Sequence, residues 1–254
     1  MLNSEHRIQS FILNFILMKT IDNQISFNPT VIACILGVIA VLLILAGIGG
    51  QLLRFSFGED YLRMLVLLFH LDHERNIPTY FSVLLILFAA LLLALIAALS
   101  AKQKLPHVSK WIILSCGFMY MAFDEAFQVH ERLIWPISVM LGEKNLGIFY
   151  FAWVIPAMIL VLILGLFFLK FLLHLPMTVR LRFLIAATLY LGGAIGIELI
   201  GGRHAELHGE ENLTYSIITT IEESLEIAGL IFFIWALLKY CADHHKEVQF
   251  CFKA

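Results

Sequence analysis

Three apolar stretches of this chain carry acids and histidines where a lipid-facing segment would carry none. The first, MYMAFDEAFQVHERLIW, holds Asp124, Glu125, His130 and Glu131. The second, IGIELIGGRHAELHGEE, holds Glu198, His204, Glu206 and His208. The third, YSIITTIEESLEIAGL, holds Glu222, Glu223 and Glu226. Carboxylates gathered in a low dielectric repel one another, so such a group persists only if protons or cations compensate it. Carboxylate and imidazole ligands from several helices of a bundle are how dinuclear iron and manganese sites are built, and zinc takes a similar mixed set. The residue types therefore predict a divalent metal site, iron, manganese or zinc. Its ligands would come from Asp124, His130, Glu131, Glu198, His204, His208, Glu222 and Glu226. Glu222 and Glu226 would also serve catalysis, as ligands or as a general base. Two familiar patterns are missing. Phe127 stands three before His130, so there is no Glu-x-x-His pair, and HAELH is not the HExxH of zinc proteases.

The elements that must hold these groups follow from composition. Of 254 residues, 61% are hydrophobic and only 14% charged, with mean hydropathy +0.90. A soluble domain is about 45–50% apolar and about 25% charged. The apolar residues come in blocks of twenty or more, the length that crosses about 30 Å of hydrocarbon. The expected fold class is all-α: a polytopic membrane helix bundle of about six transmembrane helices. The spans are placed at 30–53, 79–101, 110–135, 147–173, 182–202 and 215–240. Residues 1–29 form a cytoplasmic or interfacial segment, 30–240 a single transmembrane domain and 241–254 a cytoplasmic tail. An interfacial helix is expected at 6–20 and another, too short to span, at 61–71. Pro78 and Thr79 open the second span, a position that suits proline.

Lys and Arg set the orientation. Eleven fall in the N-terminal segment, the 102–110 and 170–182 connections and the C-terminal stretch from Lys239, against six (Arg54, Arg63, Arg75, Arg132, Lys144, Arg203) in the others. The positive-inside rule puts both termini in the cytoplasm of a plasma membrane. The acids then lie in the outer half of the bilayer. Asp124 sits about eleven residues, roughly 16 Å, below the outer end of its span, and Glu198 about four residues below its own. Glu222 and Glu226 lie about seven and eleven residues down. At 100° per residue Asp124 and Glu131 share a stripe within about 20°, and Glu222 and Glu226 within about 40°. His204 and His208 share a face if the helix continues past Gly201-Gly202.

Plainer roles compete for several residues. Glu125 lies off the Asp124 stripe and is expected to pair with Arg132. His130 could cap a helix end at the interface, and His204, Glu206, His208, Glu210 and Glu211 could be a solvated loop. Glu223 is expected to face headgroups or pair with Arg203. The Asn212-Leu-Thr214 sequon is read as chance, and Trp111, Trp135, Trp153, Tyr150, Tyr215 and Tyr240 as interfacial belt residues. Cys34, Cys116, Cys241 and Cys251 form no CxxC and read as small buried hydrophobes or free thiols. A net charge of −2 with scattered basic residues gives no case for nucleic acid. No cleavable signal peptide is expected, since Asn14 interrupts FILNFILM and no small-residue site follows.

The runs NIPTYFSVLL, FDEAFQVHERL, GGAIGIELIGG, NLTYSIITTIEESLEIAGL and LLKY resemble a family of uncharacterised bacterial multi-pass membrane proteins. The resemblance covers about residues 55–240. It implies membrane topology and no activity.

Three functions are weighed. The first is an intramembrane metal-dependent enzyme acting on a lipid or other apolar substrate from the outer leaflet. The second is a proton- or cation-coupled transporter. The DE at 124–125 and EE at 222–223 each lie in the third span of a three-span half, a hint of inverted repeats. Six spans is small for that class unless copies assemble as a homo-oligomer, and no mid-membrane helix break is evident. The third is a structural or assembly subunit.

Overall fold

The computed structural model describes residues 28–57, 67–71, 75–142 and 146–244. The interfacial helix expected at 6–20 lies outside the described residues, as does most of the one expected at 61–71. Of the latter, 67–69 are helical. The regular structure among the described residues is all helix, with no strand.

The helices are α1 (Pro29–Phe57), α2 (Ile77–Lys102), α3 (Val108–Phe127), α4 (Ile134–Leu141), α5 (Val154–His174), α6 (Met177–Leu191), α7 (Glu198–His208) and α8 (Leu213–His244). A π-helical stretch, Gly192–Ile197, joins α6 to α7 as one continuous span. Among the described residues five helices are long and apolar enough to cross a membrane, and α3 with the Glu131–Leu141 segment makes a sixth if that bent pair is one span. The expected helix bundle is therefore observed.

Sequence chemistry explains the ends. Asn76 caps α2, its side-chain oxygen accepting from the Thr79 N–H at 3.1 Å and the Thr79 hydroxyl at 3.0 Å. Pro78 sits in the first turn, where its missing N–H costs nothing. At α8, the Asn212 side-chain oxygen accepts from the Tyr215 N–H at 2.9 Å, and its amide donates to the Gly209 carbonyl at 2.7 Å. Asn212 is thus a helix cap, which gives the supposed sequon a structural use.

α2 is the best buried span. Its Leu85, Ile86, Ala89, Leu93 and Ile96 pack with Ile227, Ile234 and Leu237 of α8. Small residues let helices approach closely, and van der Waals contact drives such packing where lipid is as apolar as protein. The Ser115 hydroxyl of α3 donates to the Ala90 carbonyl of α2 at 2.9 Å. Trp111 of α3 packs edge-on to Phe171 of α5, centroids 4.9 Å apart, and against Tyr240 of α8 at 5.1 Å. Lys110 of α3 also donates to the Phe167 carbonyl of α5 at 3.3 Å, and Phe168 and Leu172 pack against the core, while Ile159, Leu162, Ile163 and Leu166 are exposed, as a lipid face would be.

Two glycines bring α8 against the π-helical span. A Cβ on Gly193 would lie 2.7 Å from the Glu222 carbonyl oxygen, and one on Gly229 2.7 Å from the Tyr190 amide nitrogen. No side chain fits at either contact. Arg54 at the end of α1 pairs with Glu211 in the α7–α8 connection, so the Arg54 end of the bundle gathers the ends of α1 and α7 and the start of α8.

Two features depart from the expected spans. The helix expected over 110–135 breaks after Phe127, and α3 and the Glu131–Leu141 segment meet at 73°. The span expected to end at 202 continues through Gly201-Gly202 to His208.

Candidate functional site

The break after α3 is made by Gln128, whose backbone is left-handed at φ 55°. Such a conformation is unfavourable for a residue with a Cβ, so something must hold it. Asp124 does. Its carboxylate accepts from the His130 backbone N–H at 2.9 Å through Oδ1 and meets the His130 ring Nδ1 at 3.0 Å through Oδ2. The reversed chain thereby carries His130 back over the last turn of α3. The expected common stripe of Asp124 and Glu131 does not exist, because no continuous helix joins them. Glu131 sits exposed in a 3-10 turn at the rim.

His130 packs against Trp153, centroids 4.7 Å apart. The Trp153 indole N–H donates to Glu198 Oε1 at 2.9 Å. Trp153, expected to be a belt residue, is thus a hydrogen-bonding part of the site. Glu198 opens α7 directly after the π-helical stretch. That stretch adds a residue to the turn, as π-bulges do at functional sites, and sets the register of Glu198 toward α8. Glu222 interacts electrostatically with Glu198, and Tyr190 with Glu226. Carboxyl groups so near each other in a low dielectric are compensated by a proton or cation. Glu198 lies ten residues before the end of α7 and Glu222 nine after the start of α8, each roughly 14 Å from the Arg54 end. The extension of α7 past the glycines accounts for the greater depth of Glu198.

Asp124, Glu125, His130, Glu131, Glu198, Glu222, Glu223 and Glu226 all line one cavity of about 690 Å³. Five of the acids expected to share a cluster, Asp124, Glu131, Glu198, Glu222 and Glu226, are among them. Glu125 and Glu223 join them, contrary to expectation. Glu125 was expected to pair with Arg132, but it turns into the cavity and interacts electrostatically with Glu226 and His130. Arg203 pairs with Glu206 at 2.7 Å and not with Glu223. The remaining wall is apolar: Ile113, Leu114 and Phe118 of α3, and Ala157, Leu160, Leu164 and Phe168 of α5. Ile113, Leu160 and Leu164 are exposed as well as lining, so the wall is open between α3 and α5.

His204 and His208 lie elsewhere. They share a face of α7, ring centroids 4.7 Å apart, and His204 Nε2 meets Asn212 Oδ1 at 2.8 Å. They stand about 9 and 15 Å along the helix axis from Glu198 and are not part of the cavity wall. Glu206 holds the Gly147 N–H at 2.9 Å, fixing the chain before α5 against α7. Tyr150 donates to Glu210 at 3.2 Å. Partial burial, and then the charge of Glu210, hold the Tyr150 hydroxyl above its ordinary value.

The metal expectation gains no support from this arrangement. Among the described residues no group of three or more His, Cys, Asp or Glu is placed to hold one ion. The physical reason is that the donors have other partners: Asp124 and His130 hold each other, Glu198 holds Trp153, and His204 and His208 stand at the Arg54 end. What the arrangement offers is a row of carboxyl groups, one imidazole and a tyrosine at the head of an apolar slot.

A family model described as a domain of unknown function, DUF8692, matches residues 33–241. No curated protein and no solved structure matches the chain.

Proposed function

This chain belongs to the DUF8692 family, and we propose that it is an intramembrane enzyme acting on a lipid or other apolar substrate. The observation that carries the reading is the cavity itself. Acids from α3, α7 and α8 meet at one end of it, while its long apolar wall is open between α3 and α5. A bilayer-borne chain can enter sideways and present its polar head to the acids. Glu222 and Glu226 are the proposed catalytic groups. Carboxyl groups close together ionise at different points, so one can donate a proton while its neighbour accepts one. Asp124 orients His130, and Trp153 orients Glu198.

The same proposal places the bundle in a plasma membrane with both termini cytoplasmic and the Arg54 end outside, from the distribution of Lys and Arg. A divalent ion as counter-charge belongs to the proposal only as something to be measured, since no three donors converge as placed.

A proton- or cation-coupled transporter is the second reading. It is favoured by two interruptions of regular helix beside the acids, the break at Gln128 and the π-helical stretch before Glu198. Irregular backbone at membrane depth lines cavities in such proteins. A purely structural subunit fits less well, because acids that only fixed packing would be closed over by side chains.

The test compares cells making the unaltered protein with cells making Glu226→Gln. Mass spectrometry of lipid extracts should show a species that changes with the unaltered protein and reverts in the variant. An unchanged lipid pool, together with Glu226-dependent proton uptake into dye-loaded vesicles, would favour transport.

A further inference from the structure

The cavity is one-sided in charge. Seven acids and one histidine line it, and no Lys or Arg does, among the described residues. Trp153 holds Glu198 and His130 holds Asp124, while Glu226 interacts electrostatically with Glu125 and Glu198, and Glu222 with Glu198. Among the described residues, no Lys or Arg in the cavity wall compensates Glu125, Glu198, Glu222 and Glu226. A ligand head bearing phosphate, sulfate or carboxylate would bring no charge that could replace the compensating protons there. A positively charged head would meet attraction in a low dielectric, where it is worth most.

The shape is an independent observation. From Ala157 to Phe168 the α5 wall runs eleven residues, roughly 16 Å, away from the acids and is apolar along the line Ala157, Leu160, Leu164, Phe168. That is a slot for an unbranched chain, not for a compact ion. Aromatic side chains also line the cavity, and one of them, Trp153, donates to Glu198 among the acids. Aromatic faces attract alkylammonium groups, and more strongly when desolvated. The slot is not explained by a cluster that binds protons or metal ions alone.

We infer that the ligand of this cavity is an amphiphile with an ammonium head and a single long alkyl or acyl chain. The chain lies between α3 and α5, and the head sits among Glu125, Glu198, Glu222 and Glu226. This inference rests on the reading of the cavity as a site for a bilayer-borne substrate, and it names the chemistry of that substrate.

The test uses the full chain in a nonionic maltoside detergent. Binding of tritiated dodecylammonium, dodecanol and dodecyl sulfate is measured by scintillation proximity. The three probes share a tail and differ in head charge. A charge-assisted hydrogen bond to a carboxylate should favour the ammonium over the alcohol by about tenfold or more, with the sulfate weakest. Two variants separate head from tail. Glu222→Gln with Glu226→Gln keeps the shape and should shrink the ammonium preference to within about threefold, as charge assistance is lost. Leu160→Trp, at an exposed lining position that tolerates bulk, should weaken all three probes.

Equal binding of ammonium and alcohol, or a preference that survives in the double glutamine variant, overturns the inference. If binding is then still weakened by Leu160→Trp, the apolar slot stands and only the head-group chemistry falls. If no probe responds to Leu160→Trp, the slot reading falls with it. The comparison of probes on the unaltered protein stands even if the double variant fails to fold.

Discussion

Gly193→Ala is the substitution whose effect the packing of this bundle defines most sharply. The new Cβ would stand 2.7 Å from the Glu222 carbonyl oxygen, 2.9 Å from Glu226 Cγ and 3.2 Å from Leu225 Cβ. The first of these is backbone and cannot swing aside, so α8 itself must move. Gly192 and Gly196 lie in the same π-helical stretch, and a Cβ at either meets nothing within 4 Å. They are internal controls. Alanine in a helix is better than glycine by roughly 0.5–1 kcal/mol, so Gly192→Ala and Gly196→Ala should be neutral or slightly stabilising. Overpacking at Gly193 should cost about 1–3 kcal/mol. For a chain of this size that is a fall in Tm of roughly 3–9 °C relative to the controls. The assay is thermal unfolding of the three variants side by side in one detergent, with dodecylammonium binding as a second readout because Glu226 is displaced. If Gly193→Ala unfolds with the controls, the close approach of the π-helical span to α8 is wrong, and with it the placement of Glu222 and Glu226.

The other expected outcomes concern the parts around that contact. Asp124→Ala should cost about 1–3 kcal/mol by leaving the His130 N–H unmatched. A double-mutant cycle with His130→Ala should return a coupling of about 0.5–3 kcal/mol, and additive effects would show that the two do not clamp the break. Asn212→Ala removes the cap of α8 and should lower stability by about 1 kcal/mol. Asn212→Ser should restore part of this, and no loss in either variant would remove the capping role. Arg54→Ala breaks a pair whose Glu211 side chain is 81% exposed, so its cost should stay below about 1 kcal/mol. Elemental analysis of purified protein should find no stoichiometric iron, manganese or zinc. One metal per chain, lost in Glu226→Ala, would reinstate the metal centre.

The bundle was legible in the sequence because transmembrane helices announce themselves by length and apolarity, and that signal does not depend on tertiary contacts. The depth of the acids was legible only in part: Glu198 was placed about four residues from the end of its span, whereas its helix runs ten residues on to His208. What failed was the assumption of regular helix past Phe127. QVHE carries no glycine or proline to mark a break, and only the Asp124 side chain, reaching back to His130, explains why Gln128 leaves the helical region. Projection at 100° therefore set Glu131 beside Asp124 and sent Glu125 toward Arg132. In GGAIGIELIGG the glycines were visible, but two different uses were hidden in them. Gly193 permits close packing, whereas Gly201-Gly202 let the helix run on to His208. The histidines of α7 looked like ligands because residue type says nothing about distance, and a separation of two to three turns removes them from the site. Trp153 was read as a belt residue and Tyr190 drew no reading, since an aromatic side chain gives no sign of the carboxylate it will meet.

Every functional statement above depends on acids of different helices facing one another across a shared space. Glu198→Cys with Glu222→Cys, in a chain whose native cysteines are replaced by serine, tests this directly in native membranes. A short bifunctional methanethiosulfonate should link the two within one chain, detected by mass spectrometry of the digested protein. Ile200→Cys with Glu222→Cys, which moves one thiol to an exposed face of α7, should not be linked. Linking of the control pair in preference to the Glu198–Glu222 pair would contradict the account.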